Sequence, residues 1–241
     1  MKVVVIIPAA GLGTRMSPVS DGRNKKPTAS KQFFEIGGTP ILIHTLRKFA
    51  ASPEVEEIYV ALRANEIAGF RARLQADKDL SRKKIELVEG GEHRQQSVAN
   101  AIGAVSAEPD DIILVHDAVR PFVTAEIIHE VIEAARKYGA AIAGMPAMDT
   151  IKEVQRTAEG AVITATVPRE RVVMAQTPQG FRHSVLKKAF DEATADGFIG
   201  TDEASLVERS GLEVVVVMGS PRNIKITTPA DLELAEFFLK R

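Results

Sequence analysis

The sequence contains no cysteine. Disulfides, thiolate zinc sites and a cysteine nucleophile are therefore excluded together. A basic surplus is missing as well: 31 Lys and Arg face 32 Asp and Glu, for a formal net charge of -1. General nucleic-acid binders carry more positive than negative charge, so no nucleic-acid partner is expected, although a local basic pocket is still allowed. No apolar run approaches the roughly 18–20 residues of a membrane helix. The run Val3-Val4-Val5-Ile6-Ile7 is too short, and it continues into a loop of small residues rather than a leader-peptide cleavage site. The expectation is a cytoplasmic protein with no membrane partner. No repeat or low-complexity linker divides the chain, so residues 1–241 are expected to form a single domain.

What is present is an alternation of short apolar runs with helix-length amphipathic segments. Strands are expected at 3–7, 58–62, 85–88, 112–116 and 140–147, and helices at 41–51, 64–76, 94–105 and 125–138. In the first helix Ile41, Leu42, Thr45, Leu46 and Phe49 share one stripe. Gly139 should end the fourth. This rhythm predicts an α/β fold with a mostly parallel, Rossmann-like sheet flanked by helices. Such sheets bind ligands beyond the carboxyl ends of their strands. The rhythm breaks after Met148. Segments 150–155 and 162–167 read as a hairpin turning at Glu159-Gly160, a β-arm spanning about 148–170. A strand at 172–176, helices at 183–195 and 202–210, a strand at 212–218 and a helix at 229–239 then follow, with Pro229 tolerated in the first turn.

Chemistry concentrates where strands end. Pro8-Ala9-Ala10-Gly11-Leu12-Gly13-Thr14-Arg15-Met16 follows the first strand. Small residues let backbone N–H groups approach a polyphosphate and form an anion-binding nest, and Arg15 adds a fixed charge. A Rossmann fingerprint would need a third glycine at Met16, and no Gly-Lys-Ser/Thr of a P-loop follows. A nucleotide loop of a third kind is left. Lys31 lies beside Gln32-Phe33, where an ordered segment begins after a polar stretch that includes Lys25 and Lys26. Gly90-Gly91-Glu92-His93-Arg94-Gln95-Gln96-Ser97 joins a strand to a helix. It is either a helix-capping turn or a site where close backbone meets a base, with Glu92 or Ser97 reading its exocyclic groups.

Asp117, in His116-Asp117-Ala118-Val119-Arg120-Pro121, lies at a strand's carboxyl end, where a ribose hydroxyl or a metal ion would be held. Arg120 either contributes to that site or serves as a structural partner of Asp117. Thr201 reads as a helix cap, followed by Asp202 and Glu203. Lys225, in a strand-like segment between Ile224 and Ile226, faces either solvent or a pocket.

Taken in order, PAAGLGTRM, KQF, GGEHRQQSV, HDAVRP, DTIK, TPQGF, TDEAS and NIKIT resemble the 2-C-methyl-D-erythritol 4-phosphate cytidylyltransferase family of the non-mevalonate isoprenoid pathway. The resemblance runs over essentially the whole chain. It implies transfer of CMP from CTP to 2-C-methyl-D-erythritol 4-phosphate, with Mg2+ held mainly through the CTP phosphates. A ribitol- or glycerol-phosphate cytidylyltransferase is the alternative acceptor reading. A non-catalytic nucleotide-binding regulator on the same fold is the alternative of another class.

The resemblance also implies residue roles. Pro8, Ala9, Ala10, Gly11, Leu12 and Gly13 would wrap the triphosphate, and Arg15 and Lys31 would stabilise charge at the α-phosphate. Gly91, Glu92 and Ser97 would surround cytosine. Asp117 and Ala118 would lie by the ribose and acceptor, supported by Arg120. Thr177, Thr201 and Lys225 would contact the acceptor. Thr150 and Arg169 would come from the β-arm of a second subunit in a homodimer with shared active sites. Three departures from the family pattern stand out: a longer loop between Met16 and Lys31, so that Lys31 is assigned from Lys-Gln-Phe and not from spacing; Val119 in place of a second alanine; and Pro168 before Arg169, which restricts the backbone there.

Overall fold

The computed structural model describes residues 1–11 and 30–240. Strand β1 (Val3–Pro8) is an unbroken run of branched aliphatics and is buried on both faces, as a central parallel strand must be. Its side chains alternate between two cores: Val3, Val5 and Ile7 enter one, Val4 and Ile6 the other. Short strands β2 (Glu35–Ile36) and β3 (Thr39–Pro40) pair with each other ahead of helix α1 (Ile41–Ala50). The expected stripe of α1 is buried throughout. Then come β4 (Glu57–Leu62), α2 (Ala64–Ala76), β5 (Lys84–Glu89), α3 (Arg94–Ala104), β6 (Ile112–Val115), α4 (Ala125–Tyr138) and β7 (Ala140–Pro146). Helix α4 has local start and stop signals. The Thr124 side chain accepts from the Ile127 N–H, and Gly139, at φ 89°, takes the left-handed cap that a side chain would disfavour.

Strands β8 (Ile151–Thr157) and β9 (Gly160–Val167) form a separate two-stranded sheet, the expected hairpin. The turn residues are Ala158 and Glu159, one position earlier than expected, because Gly160 already pairs with Thr157. Strand β10 (Val173–Arg182) is much longer than the segment expected at 172–176. It takes up the Thr-Pro-Gln-Gly-Phe stretch and runs antiparallel between β6 and β7, with a register shift between Ala175 and Gln179. Helices α5 (His183–Ala195) and α6 (Glu203–Arg209), strand β11 (Val215–Met218) and helix α7 (Pro229–Leu239) complete the chain. Strand β11 starts three residues later than expected.

The main sheet has the order β11-β7-β10-β6-β1-β4-β5, with every pair parallel except those made by β10. Helices α1, α2 and α4 cover one face, and α3, α5 and α6 the other. A third, smaller cluster of Ile36, Ile41, Val119, Ile226 and Ala235 seats α7 against the loop that follows β6. Among the described residues no helix is long and apolar enough to cross a membrane.

Candidate active site

Three parallel strands release their chains at one edge of the sheet, and each exit is pinned to a neighbouring strand. The Ala9 N–H donates to Ala61 O (2.8 Å), the Gly90 N–H to Leu62 O (2.7 Å) and the His116 N–H to Ile6 O (2.9 Å). A side chain on Gly90 would run into that of Ala10, so the first and second exits are in close contact and need glycine there. Pro8, Ala9, Ala10, Gly11, Gly91, Glu92, Ser97, Asp117 and Ala118 line one cleft, joined by Lys31 and Lys225. The sequence assigned these residues from separate motifs, and the fold brings them together. Leu12, Gly13 and Arg15 lie outside the described residues, as do Lys25 and Lys26.

Lys31 opens a short 3-10 turn, Lys31–Phe33, whose buried Gln32 side chain donates to Ala9 O. The lysine is thereby tied to the small-residue loop. Ser97 is nearly fully buried. Its hydroxyl accepts from the Gly91 N–H (3.0 Å) and lies 3.0 Å from His93 O, to which it donates. Ser97 closes the turn but caps no helix N–H, and His93, which precedes α3, makes no side-chain capping bond either. Gly91, Glu92 and Ser97 all line the cleft.

Asp117 is the centre of the site. It is 7% exposed, and three cations surround its carboxylate. Arg94 Nε lies 3.2 Å from Oδ1, while Lys225 Nζ (2.8 Å) and Arg120 Nε (3.4 Å) share Oδ2. Burial alone would raise the carboxyl's pKa, but Arg94, Lys225 and Arg120 hold it well below the usual range, so the group is ionised. The Lys225 side chain lines the cleft and remains 36% exposed, so pocket and solvent are both open to it. Its segment is an extended loop and not a strand, yet the alternation still applies, because the flanking Ile224 and Ile226 join the third cluster. Arg120 is the structural partner of Asp117, and its Nη1 donates to Asn223 O (2.7 Å), which clips the Lys225 loop in place.

A second cleft lies on the other side of this carboxylate, lined by Arg120, Thr177 and Thr201 among others. Arg94, Asp117 and Lys225 line both clefts. The Asp117 N–H donates to Thr177 Oγ1 (3.1 Å). Next to it His116 is fully buried. Its Nε2 lies 3.1 Å from Arg120 O and its Nδ1 3.1 Å from Thr177 Oγ1. The carbonyl can only accept, so Nε2 carries the proton and Nδ1 accepts from the threonine hydroxyl. Both nitrogens are satisfied in the neutral ring, and burial pushes its pKa down to about 4. Thr201 is exposed at the cleft and does not cap α6. Asp202 does so instead, in a capping box with Ser205.

Several supporting residues had no role in the sequence reading. Glu203 is buried and holds Arg94, with Nη1 at 2.6 and 2.9 Å from its two oxygens. Gln179 donates to Asp202 Oδ2 (2.8 Å) and accepts from the Ala204 N–H (3.1 Å). Asn223 donates to Gln176 Oε1 (3.1 Å) and Thr177 O (2.9 Å). Arg94 alone offered a signal. A cation at the first position of a helix opposes the helix dipole, so its presence there asks for a compensating partner.

Thr150 and Arg169 reach neither cleft of their own chain. Both are exposed at the base of the hairpin, where Arg169 Nη1 donates to Met148 O (2.9 Å). As for a metal, both oxygens of Asp117 face cations, so the described site builds no carboxylate cage. That donor set suits a magnesium ion bound through substrate phosphates, which needs few protein ligands. Glu54, His129 and Glu133 cluster elsewhere, on and beside α4, but Arg136 Nη1 already bridges the two carboxylates at 3.1 and 2.5 Å.

Comparison with known proteins gives the family and the fold. The family model described as 2-C-methyl-D-erythritol 4-phosphate cytidylyltransferase matches residues 3–241. A protein of that description from Acidobacterium capsulatum is 57% identical, with 100% of this chain and 98% of the relative covered. One from Solibacter usitatus is 52% identical, with 100% and 96% covered. Among solved structures, the Francisella tularensis enzyme of this description superposes with a TM-score of 0.80 at 34% identity, covering 98% of this chain and 99% of the other. The Thermus thermophilus structure gives 0.76 at 34% identity, with 100% of both chains covered.

Proposed function

The chain belongs to the 2-C-methyl-D-erythritol 4-phosphate cytidylyltransferase family, and from that membership we infer that it transfers CMP from CTP to 2-C-methyl-D-erythritol 4-phosphate. The products are 4-diphosphocytidyl-2-C-methyl-D-erythritol and pyrophosphate. The observation that carries the residue-level reading is that two clefts meet at Asp117 and share Arg94 and Lys225. The first cleft would hold CTP and the second the acceptor.

A phosphate monoester must attack the α-phosphoryl group of a triphosphate, an encounter between two anions. The protein has little covalent work to do; it must align the reactants and offset their repulsion. An acceptor phosphate oxygen forms the new bond to the α-phosphorus, and the bond from that phosphorus to the bridging oxygen breaks, with the electron pair leaving on pyrophosphate. The acceptor phosphate is largely ionised near neutral pH, so no general base is required. Lys31 and Lys225 both bring positive charge to the cleft, and the ionised Asp117 holds Lys225 in place. Arg15 is assigned to the α-phosphate by its motif. Thr177 and Thr201 would orient the acceptor. Magnesium bound to the triphosphate would neutralise charge on the leaving group. Arg169 and Thr150, far from their own clefts, fit contribution to the site of a second subunit.

The test is a substrate panel read by pyrophosphate release. CTP with 2-C-methyl-D-erythritol 4-phosphate should be the efficient pair, UTP a poor donor and ATP a worse one. Comparable turnover with ribitol or glycerol phosphate would move the acceptor assignment, and equal rates with ATP would remove the cytidylyl assignment.

A further inference from the structure

Arg94 has no assigned role in the transfer, yet it lines both clefts and pairs with Asp117 at their junction and with Glu203 behind it. We propose that Arg94 is a positioning residue that fixes Asp117 between the two clefts, with Glu203 as its anchor, so that the nucleotide-side turn and the acceptor-side segment are held as one unit. The inference rests on the reading that donor and acceptor meet at Asp117.

The geometry is directional. Arg94 is the first residue of α3 and follows the Gly90-Gly91 turn that faces the nucleotide cleft. Its Nε lies on Asp117 Oδ1, an oxygen that Lys225 and Arg120 leave to it because both favour Oδ2. Without Arg94 the carboxylate would keep both remaining cations on one oxygen and be free to turn about its χ2 bond, taking Lys225 with it. The other end of the guanidinium bonds Glu203, which is 1% exposed and opens α6 immediately after Thr201 and Asp202. A buried carboxylate is costly unless a cation and hydrogen bonds accompany it. Glu203 is favourably placed at a helix N-terminus, whereas Arg94 is unfavourably placed at another. The contact between them offsets that placement.

A second link runs beside the first. Gln95 Nε2 donates to Phe198 O (3.0 Å), and the Gly200 N–H donates to Gln95 Oε1 (2.9 Å). Two adjacent residues at the start of α3 therefore grip the segment that delivers Thr201 to the second cleft. The planar fork of arginine spans two acceptors, which a single ammonium cannot reproduce. Charge also balances in a useful way. Arg94, Arg120 and Lys225 face Asp117 and Glu203, and with Asp202 at the second cleft the three cations meet three carboxylates, so anionic reactants gain from how Arg94 orients these charges and not from a surplus.

The experiment uses the full chain with Arg94→Gln, Arg94→Lys, Glu203→Gln and the double variant Arg94→Gln/Glu203→Gln. Steady-state kinetics would be taken for each substrate separately, with direct CTP binding and thermal unfolding alongside. Arg94→Gln should lower kcat/KM for the acceptor by about 30-fold or more with a smaller loss of CTP affinity, because Arg94 lines both clefts while its Glu203 anchor lies on the acceptor side. Arg94→Lys should recover little of that loss. The double variant should be no worse than Arg94→Gln, because both residues act through one unit. If Arg94→Gln fails to fold around an unpaired Glu203, Glu203→Gln and the double variant carry the same expectation. Normal acceptor kinetics in a folded variant, equal losses on both substrates, or losses that multiply in the double variant would overturn the inference. A wild-type protein that released no pyrophosphate with CTP and acceptor would instead sink the functional reading itself.

Discussion

His116 shows how a single residue couples site and stability. It is held neutral by two hydrogen bonds and by burial, with a pKa of about 4 against 6.5 when exposed. The unfolded chain therefore takes up a proton first as pH falls. Stability from this group is complete above about pH 6.5 and is lost progressively toward pH 4, by an amount on the order of 3 kcal/mol. Urea unfolding of wild type and of His116→Gln across that window should show the steeper decline in wild type. Parallel curves would mean that the ring is charged in the folded protein. Lys31 is a residue of the opposite kind, at the cleft and concerned with charge. Lys31→Ala should reduce kcat by on the order of 10²-fold, with a smaller effect on CTP affinity, as for a preorganised electrostatic contact. Near-normal turnover would pass its role to another cation.

At the scale of elements, the acceptor cleft depends on where α6 begins. Asp202 caps that helix through Ser205 N–H (3.0 Å) and takes the Gln179 amide (2.8 Å) on its other oxygen. Asp202→Ala removes the cap and leaves the buried Gln179 donor without a partner. The expected cost is about 2–3 kcal/mol, or a fall in Tm of roughly 4–10 °C for a chain of this size. Calorimetry would decide, and a Tm within a degree of wild type would show that α6 is held by packing alone. The antiparallel insertion of β10 is the other decisive element. It brings Thr177 to the end of β6, where a continuing parallel pattern would have sent the chain away.

For the whole molecule, the hairpin poses the question. Val162 and Ile163 are 59% and 60% exposed on a two-stranded sheet that has no third strand to cover it. Isolated hairpins are marginal in water, so pairing with a second copy would supply the missing contacts. If Arg169 serves the partner's cleft, Lys31→Ala and Arg169→Ala dimers should each be nearly inactive. Unfolded together and refolded, half of the dimers would be mixed, and one site in each mixed dimer would carry neither defect. Activity should then recover to about a quarter of wild type. No recovery, or a monomer at assay concentration in sedimentation, would place Arg169 outside a shared site.

The sequence by itself determined the local and periodic features. The buried run of β1, the stripe of α1, the glycine stop of α4 at Gly139 and the hairpin are set by residues close together in sequence, so pattern suffices to read them. It also located most of the candidate site, because small residues and isolated charges at strand ends carry a local signature. Tertiary structure decided what depends on distant partners. The full length of β10 was hidden because Thr-Pro-Gln-Gly reads as a loop until β6 and β7 supply its hydrogen bonds. The partners that Arg120, Ser97 and Lys225 take were decided by atoms brought close in the fold. Arg94 and Glu203 are 109 positions apart. Their pairing follows from where α3 and α6 lie on one face of the sheet, and spacing along the chain carries no trace of it.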